Sequence, residues 1–217
     1  IIYSSIIMAQ KKESFFWTSY SDLMTSLFFV MLVLFVLVIV LLHKRMEVTE
    51  TQLLEIKKVE QSTKDLSRDY FQYRPDYKKY VLTIQVRYPA GKSDLKDMIT
   101  TDKDAQLRQL AAAGREIRNF LKSHSENQYI LIIEGQASKD NFLYNYELSY
   151  QRALGLMRFW IEDSNITFGN NCEILISGSG DGKLDTHSMR ETNDEKENQR
   201  FLIHILPKNI FVHNENK

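Results

Sequence analysis

Asp22 is the residue whose chemistry most needs explaining, because an apolar run follows it almost directly. The run extends from Leu27 through Leu42 and contains no charged side chain. As a helix it would rise about 24 Å, which is short of the roughly 30 Å hydrocarbon core of a bilayer. A span must borrow residues before the run, because His43 and the basic residues after it belong at the headgroups. Asp22 is therefore expected within the membrane or at its edge, where an acidic side chain is costly and marks a candidate functional site.

A carboxylate at that depth could carry an ion. Desolvation raises the pKa of a carboxyl group toward the range in which the group gains and loses a proton near neutral pH. Thr25 lies three residues later, on the same helix face, and could supply a hydroxyl that would also help to coordinate sodium. The residues alone leave an alternative, in which Ser21 and Asp22 cap the start of a helix and stabilise it by about 1 kcal/mol.

The apolar run is best interpreted as a retained membrane span over residues 17–43. It is longer than the apolar core of a usual signal peptide, and no small-residue cleavage site follows it. Trp17 and Tyr20 precede the run, where aromatic rings favour the interface, and we interpret both as interfacial anchors. Residues 1–16 are expected to be a short cytoplasmic segment, with the longer remainder of the chain exported.

The exported part is predicted to contain a linker helix and one α/β domain. Residues 44–75 are charged and weakly heptad-like, which predicts a helix that pairs with a second copy or, alternatively, stays solvated without a partner. Residues 76–210 carry strand and helix patterns in the order β-α-β-α-β-β, which predicts helices packed on a mixed sheet. Residues 211–217 are interpreted as a C-terminal tail. The predicted strands lie at 81–88, 129–135, 173–180 and 200–207, and the predicted helices at 104–124 and 143–163.

The composition argues against several functional classes. The chain carries 28 basic and 28 acidic residues, and this balance argues against direct binding of nucleic acid. Cys172 is the single cysteine, so no intrachain disulfide can form. Lys183, Asp185, His187 and Glu191 match no calcium or zinc spacing, so neither a metal site nor a cofactor is predicted. Catalytic signatures such as a nucleophile elbow or a phosphate-binding loop are absent, so an enzyme is not expected.

The segment around the second predicted helix resembles the core motif of OmpA-like peptidoglycan-binding domains. The family pattern Asn-x-x-Leu-Ser-x-x-Arg-Ala is matched by Asn145, Leu148, Ser149, Arg152 and Ala153. The stretch "NQRFLIHI" is similar to the closing strand of the family, with Asn198 and Arg200 in place. The resemblance implies an OmpA-like domain that binds the peptide stem of peptidoglycan.

The resemblance also implies which residues bind the stem. Arg152 would contact a carboxylate of the stem in a bidentate manner. The family places an aspartate after a Gly-His-Thr turn to bind diaminopimelate, but here that turn reads "GQAS" and ends at Ser138. Asp140 is the nearest acidic residue and would need a shifted loop to replace it. The peptidoglycan-binding residues implied in this way are Ser138, Asp140, Asn145 and Arg152.

Arg152 also has an interpretation that needs no ligand. As a residue of an amphipathic helix it could be exposed and paired with Glu147 or Glu116. Without the family motif this would be the simpler interpretation, and the motif favours contact with a ligand.

The N-terminal segment resembles the single transmembrane helix of MotB-type stator subunits. It has an aromatic residue, then Tyr-Ser-Asp-Leu-Met-Thr, then the apolar run. The two resemblances in one chain imply a subunit of the bacterial inner membrane that conducts protons, or sodium, through Asp22. The implied partners are a pentameric ring of MotA-like multi-span subunits, a second copy of this chain, the membrane and peptidoglycan.

The layout of the chain bears on the output of such a motor. About 40 residues separate the membrane run from the domain, and this compact layout resembles the membrane-motor subunit of Zorya anti-phage systems. Ion flow would then drive rotation for anti-phage defence rather than for flagellar swimming. The alternative function is a passive membrane tether that binds peptidoglycan without translocating ions.

Overall fold

The computed structural model divides the chain into two compact units, Ile1–Leu53 and Leu54–Lys217. It describes residues 2–63, 66–184, 188–191 and 193–208, with only the backbone described at 2–16, 55 and 60. The predicted tail at 211–217 lies outside the described residues, as do the last two residues of the predicted domain.

The helix α1, Ile2–Ser62, carries the candidate membrane span. Within Trp17–Val59 it is long and apolar enough to cross a bilayer, with a mean hydropathy of 3.2 in an 18-residue window of which nothing is buried. A helix suits a span because it satisfies its own backbone hydrogen bonds where water is absent. By length and composition, the described residues thus contain one helix that could span a membrane, near the N-terminus.

The second unit begins its sheet earlier than the sequence suggested. The sequence predicts a linker helix as far as residue 75, whereas α1 ends at Ser62 and the strand β1 occupies Phe71–Arg74. β1 pairs antiparallel with β2, Lys79–Leu82. Tyr73 and Tyr80 are register partners whose ring centroids lie 4.9 Å apart. Such a cross-strand aromatic pair stabilises a hairpin.

The described residues contain one mixed sheet, with strand order β1-β2-β5-β3-β4. β3 is Tyr129–Gly135, β4 is Cys172–Gly178 and β5 is Phe201–Pro207. β3 and β4 are parallel, and the other neighbouring pairs are antiparallel. The predicted fold class, an N-terminal apolar helix followed by an α/β domain with a mixed sheet, is confirmed, and β1 is added to it.

The predicted strand at 81–88 forms only in part, because β2 ends within it and the chain then leaves the hydrogen-bond ladder. Its alternation nevertheless continues, since Ile84, Val86 and Tyr88 are buried. The backbone N–H of Tyr88 donates to Gln199 Oε1 at 2.8 Å. Alternation therefore predicted which side chains face the core and did not predict the end of the pairing.

The two predicted helices form close to their expected bounds. α2 is Lys103–Ser123, and α3 is Asn145–Arg158, which continues as a π-helical turn at Phe159–Asp163. Both contribute to one apolar core with β3 and β5. Trp160 is fully buried and donates from Nε1 to the carbonyl of Leu110 at 2.7 Å, which ties the end of α3 to α2.

A pair of glycines allows α3 to contact the sheet directly. Gly135 ends β3, Gly178 ends β4, and the two are register partners. A Cβ atom on Gly135 would lie 2.1 Å from the carbonyl oxygen of Ser149, and one on Gly178 would lie 2.5 Å from the backbone nitrogen of Tyr150. Because these neighbours are backbone atoms of α3, they cannot move aside, so the glycine pair sets where α3 lies.

The face of the sheet opposite α3 carries a buried ionic cluster. Glu134 precedes Gly135 and so points away from α3. Its Oε2 accepts hydrogen bonds from Lys79 Nζ at 3.0 Å and His204 Nε2 at 2.7 Å, and its residue is 6% exposed. Burial raises the pKa of Glu134, but the hydrogen bond from His204 and the charge of Lys79 outweigh it and lower the pKa from 4.5 to about 2.

Candidate functional site

Arg152 lies on α3 as a buried cation that is only partly hydrogen-bonded. It is 3% exposed, and its Nε donates to the carbonyl of Lys92 at 3.1 Å. Its guanidinium carbon lies 4.4 Å from the ring centroid of Tyr88, in cation–π contact. Its Nη1 has no hydrogen-bond partner among the described residues. Burial lowers the pKa of Arg152, and nearby Asp140 acts in the opposite direction, favouring the charged form.

The interpretation of Arg152 as an exposed surface arginine is therefore wrong. Its burial excludes a solvated position, and no described ion pair joins it to Glu147 or Glu116. A buried guanidinium with a spare donor is energetically costly unless another group pairs with it.

Asn145 is the first residue of α3 and lies on the same face as Arg152, two turns earlier. It is 2% exposed, and its Nδ2 donates to Asp140 Oδ1 at 3.0 Å, the carbonyl of Phe142 at 3.0 Å and Asp181 Oδ2 at 3.3 Å. Its Oδ1 accepts no hydrogen bond from any described residue. Asp140 accepts from Asn145 and also favours the charged form of Arg152, so an acceptor and a donor without described partners lie near the same carboxylate.

The loop between β3 and α3 brings Asp140 to this region. Asp140 is exposed, and its Oδ1 also accepts from the backbone N–H of Phe142 at 2.9 Å. Ser138 is buried instead, and its Oγ accepts from Gln199 Nε2 at 3.1 Å. The structure thus brings Asp140, Asn145 and Arg152 together, whereas Ser138 makes a contact within the protein.

Two residues that the sequence did not single out also border the site. Tyr88 is 4% exposed, burial raises the pKa of its hydroxyl, and that hydroxyl has no described hydrogen-bond partner. Asp181 is 3% exposed and pairs with Lys183 Nζ at 2.9 Å. Burial raises the pKa of Asp181, but hydrogen bonds from Lys183 and Asn145 outweigh it and lower the pKa. The signal for Tyr88 was a hydroxyl-bearing residue at an inward-facing position, and the signal for Asp181 was its place after the turn that ends β4.

The β3–α3 loop is held by the segment between β4 and β5. Arg190 Nη2 donates to the carbonyl of Ala137 at 2.9 Å and to Glu195 Oε2 at 2.8 Å. The same Glu195 oxygen accepts from the backbone N–H of Lys139 at 2.9 Å. Gln136 is tied in the same way, since it donates to the carbonyl of Met189 at 2.8 Å. These contacts fix the loop that carries Asp140 before any ligand arrives.

The polar groups that lack partners define what the site can bind. Arg152 and Tyr88 offer donors, Asn145 offers an acceptor, and Asp140 offers a carboxylate at the rim. Donors around one point suit a carboxylate, and an acceptor beside an acid suits an ammonium group. An amino-acid end that carries both groups matches this arrangement.

On α1, the structure places Asp22 inside the helix. Because α1 begins at Ile2, the alternative in which Ser21 and Asp22 cap a helix start is wrong. Thr25 Oγ1 donates to the carbonyl of Ser21 at 2.7 Å, so this hydroxyl is directed to the helix backbone. Asp22 and Thr25 remain neighbours on the helix surface, as their spacing requires.

The predicted interfacial anchors precede Asp22 on α1. Trp17 and Tyr20 are 65% and 45% exposed. Their rings meet edge to face, with centroids 6.3 Å apart. This arrangement leaves both rings on the helix surface, where an interfacial role requires them.

Within the described part of the chain, no group of three or more His, Cys, Asp or Glu side chains could hold a metal ion. Asp185 and His187, for which the spacing predicts no metal site, lie outside the described residues. At those two positions, only the spacing of the residues in the sequence argues against a metal site.

Neither a protein-family profile nor a curated protein sequence matches the chain. Among solved structures, the chain is similar to a MotB-like protein from Desulfovibrio vulgaris, with 13% identity and a TM-score of 0.42 over 74% of this chain and 96% of that one. It is similar to the periplasmic domain of Helicobacter pylori MotB, with 15% identity and a TM-score of 0.38 over 63% and 76% of the two chains. It is also similar to the OmpA-like domain of FopA1 from Francisella tularensis, with 17% identity and a TM-score of 0.36 over 63% and 79%. All three are MotB-like or OmpA-like domains.

Proposed function

We propose that the chain is a single-pass inner-membrane subunit of an ion-driven, stator-type motor, anchored to peptidoglycan by its C-terminal domain. The observation that carries the proposal is the presence in one chain of two features. One is an acidic residue, Asp22, within a long apolar helix, and the other is a buried cation, Arg152, with a donor in need of a partner. The first suits ion transfer and the second suits attachment to an acidic ligand.

The attachment would use the amino-acid end of a peptidoglycan stem. The guanidinium of Arg152 binds a carboxylate, and Asn145 Oδ1 together with the carboxylate of Asp140 binds the ammonium group beside it. Diaminopimelate carries both groups at one end of its side chain. The resemblance to OmpA-like domains implies that this is the part of the stem that is bound. Asp140 supports this assignment because its hydrogen bond with Asn145 brings it to the site that lacks the usual aspartate.

The ion transfer would use Asp22. Two copies of the chain would place their helices inside a pentameric ring of MotA-like subunits, which supply the walls that a lone helix lacks. Asp22 would take up a proton from one side and release it on the other, or hold sodium with help from Thr25. Rotation of the ring against the anchored domain would follow, with the N-terminus in the cytoplasm and the domain in the periplasm.

Binding to purified cell walls tests the attachment. Full-length protein in detergent is sedimented with peptidoglycan sacculi, and Arg152→Ala is compared with the wild type. We expect retention to fall at least about tenfold, since a charge-assisted pair is removed. Arg108→Ala is the matched control, because Arg108 is exposed on α2 and should leave retention unchanged. Equal retention of Arg152→Ala and wild type would remove the attachment site from the proposal.

Ion flux tests the second half of the proposal. Asp22→Asn keeps the shape of the side chain and removes its titration, so flux through the complex with a MotA-like subunit should be abolished. Glu50→Gln is the control, since Glu50 is also exposed on α1 but lies beyond the apolar run. If Asp22→Asn conducts and functions like the wild type while binding sacculi normally, the chain is a passive tether.

The output of the motor is tested by phage challenge. In a strain that carries the complete system, wild type should reduce plaque formation and Asp22→Asn should not. A swimming defect without any change in plaque formation would assign the motor to motility instead.

A further inference from the structure

Tyr88 buries a hydroxyl group that the fold does not use. The residue is 4% exposed, and its hydroxyl makes no hydrogen bond to any described residue. A phenylalanine would fill the same space without this cost, because an unpaired buried hydroxyl loses its bonds to water. The hydroxyl therefore needs a reason outside the packing of the domain.

The surroundings of Tyr88 indicate that reason. Its ring is stacked on the guanidinium of Arg152, with the ring centroid 4.4 Å from the guanidinium carbon. Nη1 of Arg152 is a second buried donor without a described partner. Two donors in need of an acceptor thus occur on one contacting pair of side chains.

The position of Tyr88 is fixed from both sides. Its backbone N–H donates to Gln199 Oε1 at 2.8 Å. The side-chain amide of Gln199 is itself held, since its Nε2 donates to Ser138 Oγ at 3.1 Å. The carbonyl of Arg87 accepts from the backbone N–H of Ile99 at 2.8 Å. These bonds fix the backbone at Tyr88, and burial confines its ring, so the hydroxyl is positioned before a ligand binds, which reduces the entropy lost on binding.

Burial raises the pKa of Tyr88, and the carboxylate of Asp94 also raises it while Arg152 lowers it. A phenol is protonated at neutral pH already at its ordinary pKa, and the net rise leaves it so, which makes the hydroxyl a hydrogen-bond donor. A neutral phenol beside a guanidinium can donate to a carboxylate without adding charge to the site.

We propose that the hydroxyl of Tyr88 donates a second hydrogen bond to the ligand carboxylate that Arg152 binds, and that this pair selects a free carboxylate over its amide. Each carboxylate oxygen would accept from one of the two donors, whereas a primary amide replaces one of these oxygens by an NH₂ group that cannot accept. The inference rests on the proposed attachment to peptidoglycan stems and names the form of stem that is bound.

The test measures affinity of the full-length protein for two probes. One is the stem tripeptide that ends in diaminopimelate with a free side-chain carboxylate, and the other is the same tripeptide amidated there. Wild type should bind the free acid at least about tenfold more tightly than the amide. Tyr88→Phe should weaken binding of the free acid about five- to tenfold and reduce the preference accordingly. Tyr150→Phe, which removes an exposed hydroxyl from α3, should change neither value.

Thermal unfolding of the same variants separates binding from structure. Because the lost hydroxyl has no described partner, the midpoint of Tyr88→Phe should equal or exceed that of wild type. A lower midpoint, with both probes weakened equally, would make the hydroxyl structural and overturn the inference. Wild-type affinity in Tyr88→Phe, with loss only in Arg152→Ala, would overturn it and leave the attachment intact. Failure of the wild type to bind the free acid would overturn both.

Discussion

Two buried charged clusters lie on opposite faces of the same sheet, and they differ in how completely they are paired. Around Glu134, one carboxylate oxygen accepts from Lys79 and His204. Around Arg152, the guanidinium makes one hydrogen bond to a carbonyl, and Nη1 has no described partner. Both clusters are over nine-tenths buried at their central residue.

The difference separates stability from binding. When a buried charge is fully paired, attraction to its partners offsets much of the free energy lost on removing it from water. A buried charged group with an unpaired donor lowers the stability of the fold, and a stable domain can contain it only if the rest of the core compensates. The Glu134 cluster should therefore stabilise the fold, and the Arg152 cluster should serve a ligand.

The largest expected effect is on the paired cluster. Glu134→Gln keeps the shape but removes the charge that Lys79 and His204 both contact, and it should lower the free energy of unfolding by about 3 kcal/mol. Denaturant unfolding followed by the fluorescence of Trp160, in a Trp17→Phe background, measures it. A loss below about 1 kcal/mol would mean that the pairing does not stabilise the fold and would remove the contrast.

Acid should remove the same stabilisation progressively. The pKa of Glu134 is lowered from 4.5 to about 2 in the folded protein, so between these values the unfolded chain binds more protons. The contribution is complete above about pH 4.5 and is lost as the pH falls toward 2, by up to about 3 kcal/mol. The difference in stability between wild type and Glu134→Gln, measured from pH 6 to pH 2, should shrink over this window. A difference that stays constant would contradict the assigned cause.

The incomplete cluster should respond in the opposite way. Arg152→Met replaces a partly satisfied cation by an apolar chain of similar length, and the free energy of unfolding should change by no more than about 1 kcal/mol. Retention on sacculi should nevertheless be lost. If Arg152→Met were as destabilising as Glu134→Gln, the arginine would be structural and the two clusters would not differ in kind.

The smallest effect provides the baseline for an exposed pair. Glu173 and Lys208 form an ion pair at 2.9 Å with side chains 46% and 42% exposed. Glu173→Gln should change the free energy of unfolding by less than about 0.5 kcal/mol, because solvent screens the pair. The same denaturant experiment measures it, and a loss near that of Glu134→Gln would show that burial is not what distinguishes the Glu134 cluster.

The sequence predicted the long elements of the fold better than the short ones. α2, α3, β3 and β4 carry strong apolar periodicity over many residues, so local pattern and tertiary packing agree. The hairpin of β1 and β2 was only partly recognised, because its strands contain four residues each and include charged side chains. Its formation depends on pairing with β5, which no local pattern encodes.

The candidate site was predicted where one helix carries it and missed where distant segments meet it. Asn145 and Arg152 lie on one face of α3, and the resemblance to the OmpA-like motif, which is contained within this one helix, was what identified them. Tyr88 was predicted only as part of a strand, because its contact with Arg152 exists only once α3 has packed on the sheet. The hydrogen bond between Asp140 and Asn145 likewise depends on a loop conformation held by Glu195 and Arg190.

The contact of α3 with Gly135 and Gly178 has a consequence for how the two sides of the site could evolve. Asn145 and Arg152 lie on α3, whereas Tyr88 belongs to a separate segment whose backbone is hydrogen-bonded to Gln199. One added methyl group at either glycine would lift the helix and widen the gap between the two sides, while every ligand-facing side chain stayed the same. Substitutions at Gly135 and Gly178 could thus change the distance between the two sides of the site during evolution, although neither residue belongs to the proposed ligand contacts.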